Sequence, residues 1–268
     1  MRTSFVTSAD GTRLRLAHWG DGARDVLIVH GLAEHAGRYE HVGEHLAAAG
    51  VEVIAIDHRG FGLSGGRRSY VASFDEFLDD VEDQLAEVRS LGLPTAMLGH
   101  SMGGLIALSY VLEGRPRPDA LALSGPSLGA NVPTRLRALV RVLRHLAPRL
   151  RVPTPISGSQ LATDPRVGEA YFADPLVVRT STPALGYAVL AQIVRVNEHL
   201  SALGRDGPPI LVQHGADDSI VPAASTVALG AMAGVQRIEY RGLRHEIFNE
   251  PSSPAVLDDL IAWLRTVL

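Results

Sequence analysis

The sequence predicts an α/β protein: a doubly wound, mostly parallel sheet carrying a helical segment inserted late in the chain. Three observations predict it. Short apolar runs without alternation, such as Val26-Leu27-Ile28-Val29, have the pattern of strands covered on both faces. Longer stretches with apolar residues at helical spacing separate them, as a βαβ architecture requires. That alternation stops after Ala120-Leu121-Ala122-Leu123 and resumes only past Pro183.

In chain order, Ser4 to Thr7 and Leu14 to Trp19 alternate around Ala9-Asp10-Gly11 and predict a hairpin. The strand Val26 to Val29 follows, then a helix over Tyr39 to Ala49 and a strand from Val51 to Ile56. A helix from Phe74 to Leu91 leads to the strand Thr95-Ala96-Met97-Leu98, and Leu105 to Leu112 reads as an apolar helix. After the strand at Ala120, no strand pattern is found between about Pro126 and Pro183. A helix near Tyr187 to Leu203, strands at Ile210 to Gln213 and Val235 to Tyr240, and an amphipathic helix from Val256 to Leu268 complete the chain. The expectation is a single domain over 1–268 with a cap, or lid, inserted at 126–185.

Composition narrows the chemistry. A chain of 268 residues with 46% hydrophobic content can bury a large core. A formal charge of -4 supplies no basic field for nucleic acid, which is not expected as a partner. Cysteine is absent, which excludes disulfides, thiolate nucleophiles and cysteine-ligated metals. All 25 basic residues are arginine, so Schiff-base and P-loop lysine mechanisms are excluded too. The N-terminal stretch lacks the apolar core and cleavage site of a signal peptide, and no segment approaches the length of a membrane span. A cytoplasmic protein is expected, with peripheral membrane contact left open.

Gly99-His100-Ser101-Met102-Gly103 lies between a strand and a helix, the context in which G-x-S-x-G carries a nucleophilic serine on a tight turn. A serine hydroxyl needs a general base and a carboxylate to orient that base. Two late loops can supply them: His214-Gly215-Ala216-Asp217-Asp218 after one strand, and Arg241-Gly242-Leu243-Arg244-His245 after the next. His245 is the expected base, because it follows a strand and precedes the last helix. Position alone does not separate Asp217 from Asp218, and Asp218 also suits bonding to neighbouring turn amides. For the oxyanion hole the expected donors are the N–H groups of Met102, next to the nucleophile, and Leu32, in the loop after Val26 to Val29.

These segments together resemble the α/β-hydrolase fold and, within it, the monoacylglycerol lipases. His30-Gly31-Leu32-Ala33-Glu34-His35-Ala36-Gly37-Arg38-Tyr39 is similar to that family's H-G-x-x-E-H-x-x-R-Y stretch, and Asp57 to Ser64 to its D-x-R-G-x-G-x-S loop. Gly99 to Gly104 matches G-H-S-M-G-G, the loops at Asp217 and His245 resemble its acid and histidine loops, and Asp174-Pro175-Leu176 resembles its D-P-L segment. The resemblance selects Asp217 as the acid and implies a cap over the site. It also implies that Glu34 and Arg38 either meet the polar head of a substrate or brace the loop behind Leu32. Where some members carry a second histidine after the catalytic one, this chain has Phe248, which takes a polar side chain away from head-group recognition. The implied activity is hydrolysis of monoacylglycerols to fatty acid and glycerol, without cofactor or metal; the alternatives are a lysophospholipase, a broad short-chain carboxylesterase, or a non-catalytic binding protein on the same fold.

Two charged segments complete the reading. Thr134 to Arg151 carries six arginines and no acid, with Leu136, Leu139, Val140, Leu143 and Leu146 at helical spacing: a basic amphipathic helix that suits a lipid interface or a core-packed cap. The acidic run from Asp75 to Asp83 reads as a solvated helix face.

Overall fold

The computed structural model describes residues 1–90, 92–204 and 207–268. The chain opens with an antiparallel hairpin, β1 (Arg2–Thr7) and β2 (Arg13–Trp19), then β3 (Asp25–Val29), α1 (Glu40–Ala48), β4 (Glu52–Ile56) and α2 (Asp75–Arg89). Leu91, the expected end of α2, lies outside the described residues. Next come β5 (Thr95–His100), α3 (Met102–Leu112) and β6 (Ala120–Ser124). The inserted stretch holds α4 (Thr134–Leu146), β7 (Val152–Pro153), α5 (Gly158–Leu161), α6 (Pro165–Ala173) and β8 (Thr180–Ser181), and is followed by α7 (Pro183–His199). The chain closes with β9 (Ile210–Gly215), α8 (Val227–Gly230), β10 (Val235–Tyr240) and α9 (Ser253–Val267).

Eight strands form one sheet in the order β1-β2-β4-β3-β5-β6-β9-β10, parallel from β4 onward. Successive residues of β3 feed two cores. Leu27 and Val29 pack with α2 and α3, whereas Val26 and Ile28 pack with α1 and α9. This is why the apolar runs do not alternate. The expectation of no strand in the insertion is corrected in detail, since β7 and β8 pair as a two-residue antiparallel ladder.

From β3 the chain moves outward to β4 and then returns to β5 on the other side. That reversal opens a crevice beyond the carboxyl ends of β3 and β5, where α/β sheets bind ligands. The inserted segment is tied to the same place. The Val178 N–H donates to the Ala33 carbonyl at 2.9 Å, His35 Nε2 lies 2.9 Å from Asp174 Oδ2, and the Thr182 hydroxyl donates to the Ser69 carbonyl at 2.7 Å.

The acidic helix α2 differs from its expectation. Asp80 is fully buried and receives Arg59 Nε and Nη2, both at 2.6 Å, while Glu76 and Asp10 receive Arg59 Nη1. Arg115 joins Asp79 and Glu82. Much of this face is therefore an arginine-binding frame that fastens the loop after β4, and not simply a solvated surface.

Candidate active site

Ser101 stands between β5 and α3 with φ +52°, a left-handed conformation that a residue with a side chain adopts only when its surroundings impose it. The flanking glycines allow that turn. A Cβ on Gly99 would come within 2.5 Å of the Gly103 carbonyl oxygen, and one on Gly103 within 1.9 Å of the Val29 oxygen. Strand and helix meet here more closely than any side chain permits.

His245, in the loop after β10, brings Nε2 to 2.9 Å from Ser101 Oγ, and its Nδ1 lies 2.6 Å from Asp218 Oδ2. An ionised carboxylate only accepts, so Nδ1 carries the proton and Nε2 is left to accept from the serine hydroxyl. The acid expected at Asp217 is thus corrected to Asp218. The Asp217 N–H donates to the Leu243 carbonyl at 2.9 Å and its residue is exposed, whereas Asp218 is 6% exposed. Asp218 also bonds turn amides, as its type and place suggest: Oδ1 accepts from the N–H groups of Ile220 and Val221 at 2.9 and 2.8 Å. One carboxylate makes both sets of contacts, which the sequence reading had divided between two residues.

Electrostatics favour the same arrangement. Burial pushes Asp218 up, but hydrogen bonds from His214 and His245 outweigh it and hold the group below the ordinary carboxylate range. Burial pushes His245 down, and the bond and charge of Asp218 reverse this to a net rise. His100, whose ring centre is 4.8 Å from that of His245, is pushed down to about 4, chiefly by burial. It is neutral near pH 7 and does not repel charge forming on His245. His100 is tied to the turn, its Nδ1 lying 3.0 Å from the Ser124 carbonyl.

Leu32 and Met102 both line the cavity beside Ser101. Met102 is the first residue of α3, where N–H groups have no helical partner. Gly31 brings the Leu32 loop alongside, since a Cβ built on it would lie 3.2 Å from Ser101 Cβ. Glu34 and Arg38 lie behind that loop. Glu34 Oε2 accepts from the Gly31 N–H at 3.0 Å and the Tyr39 hydroxyl at 2.8 Å, and Oε1 from Arg38 Nη1 at 2.6 Å. Arg38 also donates to both oxygens of Glu246, at 2.7 and 2.8 Å. Glu34 and Glu246 thus share one guanidinium. Burial pushes Glu34 up, yet Arg38 and its other donors hold it low; for Glu246, burial together with the neighbouring Glu34 outweighs Arg38 and raises it. Sequence reasoning passed over Glu246, although an acid directly after the expected base was its visible signal.

The serine opens into a cavity of about 460 Å³. Leu136, Leu139 and Leu143 of α4 and Val189 and Ile193 of α7 wall it, while Glu34 and Glu246 are among its polar lining. Helix α4 has no buried residue, and Val142 and Leu146 face away from the cavity at 54% and 77% exposure. Several of its arginines are engaged: Arg144 stacks on Tyr187 at 3.6 Å, and Arg137 donates to the Ala130 and Val132 carbonyls. Among the described residues no helix is long and apolar enough to cross a membrane.

Comparison with known proteins agrees with this geometry. The family described as serine aminopeptidase, S33 (Hydrolase_4) matches residues 22–252. A monoacylglycerol lipase of Mycolicibacterium smegmatis is 38% identical over 89% of this chain and 87% of its own length. The phospholipase YtpA of Bacillus subtilis is 32% identical over 84% and 89%. The crystal structure of a Paleococcus ferrophilus monoacylglycerol lipase superposes with a TM-score of 0.87 at 29% identity, covering 95% of this chain and 99% of that one. With a serine elbow, a histidine and a buried acid on one sheet edge, and a family match over most of its length, the chain belongs to the Hydrolase_4 family of α/β-hydrolase-fold serine hydrolases.

Proposed function

We propose that this chain hydrolyses monoacylglycerols to fatty acid and glycerol through an acyl-enzyme on Ser101. The observation that carries the reading is the Ser101–His245–Asp218 hydrogen-bonded chain opening into a large apolar cavity. Ser101 Oγ attacks the ester carbonyl as His245 Nε2 takes its proton. The oxyanion is held by the Leu32 and Met102 N–H groups, and Asp218 stabilises the imidazolium. His245 returns the proton to the glycerol alkoxide. Water then enters, gives a proton to His245 as its oxygen attacks the acyl carbonyl, and the imidazolium returns that proton to Ser101 Oγ as the acyl bond breaks and the fatty acid leaves. The 126–185 segment serves as the cap, its α4 accepting the acyl chain together with α7, which follows the segment. The outward residues Val142 and Leu146, with Arg135 and Arg141, meet a lipid surface.

A lysophospholipase is the second reading, and the likeness to a phospholipase keeps it in play. One observation disfavours it. Arg38, which lies beside the polar lining, is taken up by Glu34 and Glu246, and among the described residues that line the cavity there is no arginine to meet a phosphate. Glu34 is the member of that group placed to meet a glycerol hydroxyl, with Arg38 bracing it.

Two measurements test the proposal. A fluorophosphonate probe is expected to label Ser101 in the folded protein, and absence of an adduct removes every hydrolase reading. Rates on monoacylglycerol, diacylglycerol, lysophospholipid and p-nitrophenyl esters are expected to rank monoacylglycerol first. A higher kcat/KM for lysophospholipid overturns the substrate assignment while leaving the chemistry intact.

A further inference from the structure

His214, the last residue but one of β9, is fully buried, and its ring nitrogens face Asp218, Val221 and Thr226 and not the nucleophile or the base. Its Nε2 faces two groups that can only accept, the Val221 carbonyl at 2.9 Å and Asp218 Oδ2 at 3.2 Å. Nε2 therefore carries a hydrogen, and that hydrogen is shared between them. Across the ring, Thr226 Oγ1 lies 3.4 Å from Nδ1 and is itself held by Arg237 Nε at 3.0 Å and by its own bond to the Ala223 carbonyl at 2.9 Å. The hydroxyl's one hydrogen goes to the Ala223 carbonyl, so the imidazole is held by hydrogen bonding at Nε2, while Nδ1 packs against Thr226.

The Asp218 carboxylate consequently receives four donors. Ile220 and Val221 amides meet Oδ1, while His214 from strand β9 and His245 from the loop after β10 meet Oδ2. The two amides alone leave Oδ2 free to swing about the axis they define. His214 adds a second donor at Oδ2 beside that of His245 and so restricts that freedom further.

We propose that His214 is a positioning residue of this site: its Nε2–H fixes the Asp218 carboxylate in the plane from which Oδ2 meets His245 Nδ1. The inference rests on the hydrolase reading above and adds to it a residue acting through Asp218. A positioning contact of this kind acts on turnover and not on substrate affinity, because His214 does not line the cavity.

The test uses the full-length protein with p-nitrophenyl butyrate, so that it does not depend on the lipid assignment. His214→Leu is expected to lower kcat about tenfold with KM within about twofold. His214→Gln, which keeps an N–H near the same place, is expected to restore most of the loss. In an Asp218→Asn background, His214→Leu is expected to change kcat no further, since the group it positions is gone. Wild-type kcat in His214→Leu overturns the proposal, as does a tenfold loss that persists in the Asp218→Asn background. Should His214→Leu fail to fold, His214→Gln decides alone: a folded Gln variant with kcat tenfold low overturns it. Full activity in Asp218→Asn by itself overturns the parent reading, a result distinct from any outcome at His214.

Discussion

The loops at the carboxyl edge of the sheet and the helix α4 that faces them are built on opposite terms. Along the loops, Glu34, Arg38, Asp218, His245 and Glu246 are largely withdrawn from water, and each is held by named partners. Helix α4 has no buried residue, no acid to pair with its arginines, and an apolar stripe divided between the cavity and open solvent. A buried charge is costly unless it is paired, so the edge tolerates little change. An exposed arginine is solvated wherever it points, so the outer face of α4 tolerates change.

The largest expected effect separates two neighbouring acids on that edge. Asp218→Asn should lower kcat by about 10⁴, the scale seen when the acid of such a triad loses its charge, while Asp217→Asn stays within about twofold. Steady-state kinetics on a soluble ester measure both, and a large loss at Asp217 would break the assignment.

Stability gives the next contrast. Arg38→Ala strands two buried carboxyl groups and should cost about 3–5 kcal/mol in urea unfolding. Arg141→Ala on α4 should cost less than about 0.5 kcal/mol. Equal losses would erase the distinction between the two regions.

The third effect is on pH dependence. The base must be neutral to take a proton from Ser101, and its pKa is raised in the fold. Activity is therefore full above that pKa and is lost as pH falls through it, about tenfold per unit below. A profile of kcat/KM should place this acidic limb above the ordinary histidine value of about 6.5. A midpoint below that value would mean that burial, and not Asp218, dominates His245.

The smallest effect is at the outer face of α4. Val142→Ser combined with Leu146→Ser should weaken flotation with anionic liposomes several-fold. Activity on p-nitrophenyl butyrate should remain within about twofold, since neither side chain lines the cavity. Unchanged flotation would make α4 a wall of the cavity and nothing more.

How much of this was legible in the sequence follows the same division. The strands of the sheet were read to within a few residues, because a strand buried on two faces leaves an unbroken apolar run. Ser101 and His245 were legible because each follows such a strand. The choice between Asp217 and Asp218 was not, for both are in one turn, and which side chain points inward is set by backbone direction after β9. The partners of Arg59 were hidden for a related reason. Helical spacing shows that Asp80 shares a face with Glu76, but not that the loop after β4 folds an arginine back upon it. On α4 the stripe was visible, yet its division into cavity-facing and outward residues depended on the placement of α7 opposite.

The bonds from Val178 to Ala33 and from Asp174 to His35 join the end of the inserted segment to the loop that carries Leu32. For anyone redesigning this scaffold, the inserted segment and the loop beside the nucleophile are therefore not separate modules. A segment transplanted from a relative has to arrive with an N–H for the Ala33 carbonyl and an acceptor for His35. Without them the graft would alter turnover on every ester, including those whose acyl chains never reach the exchanged walls.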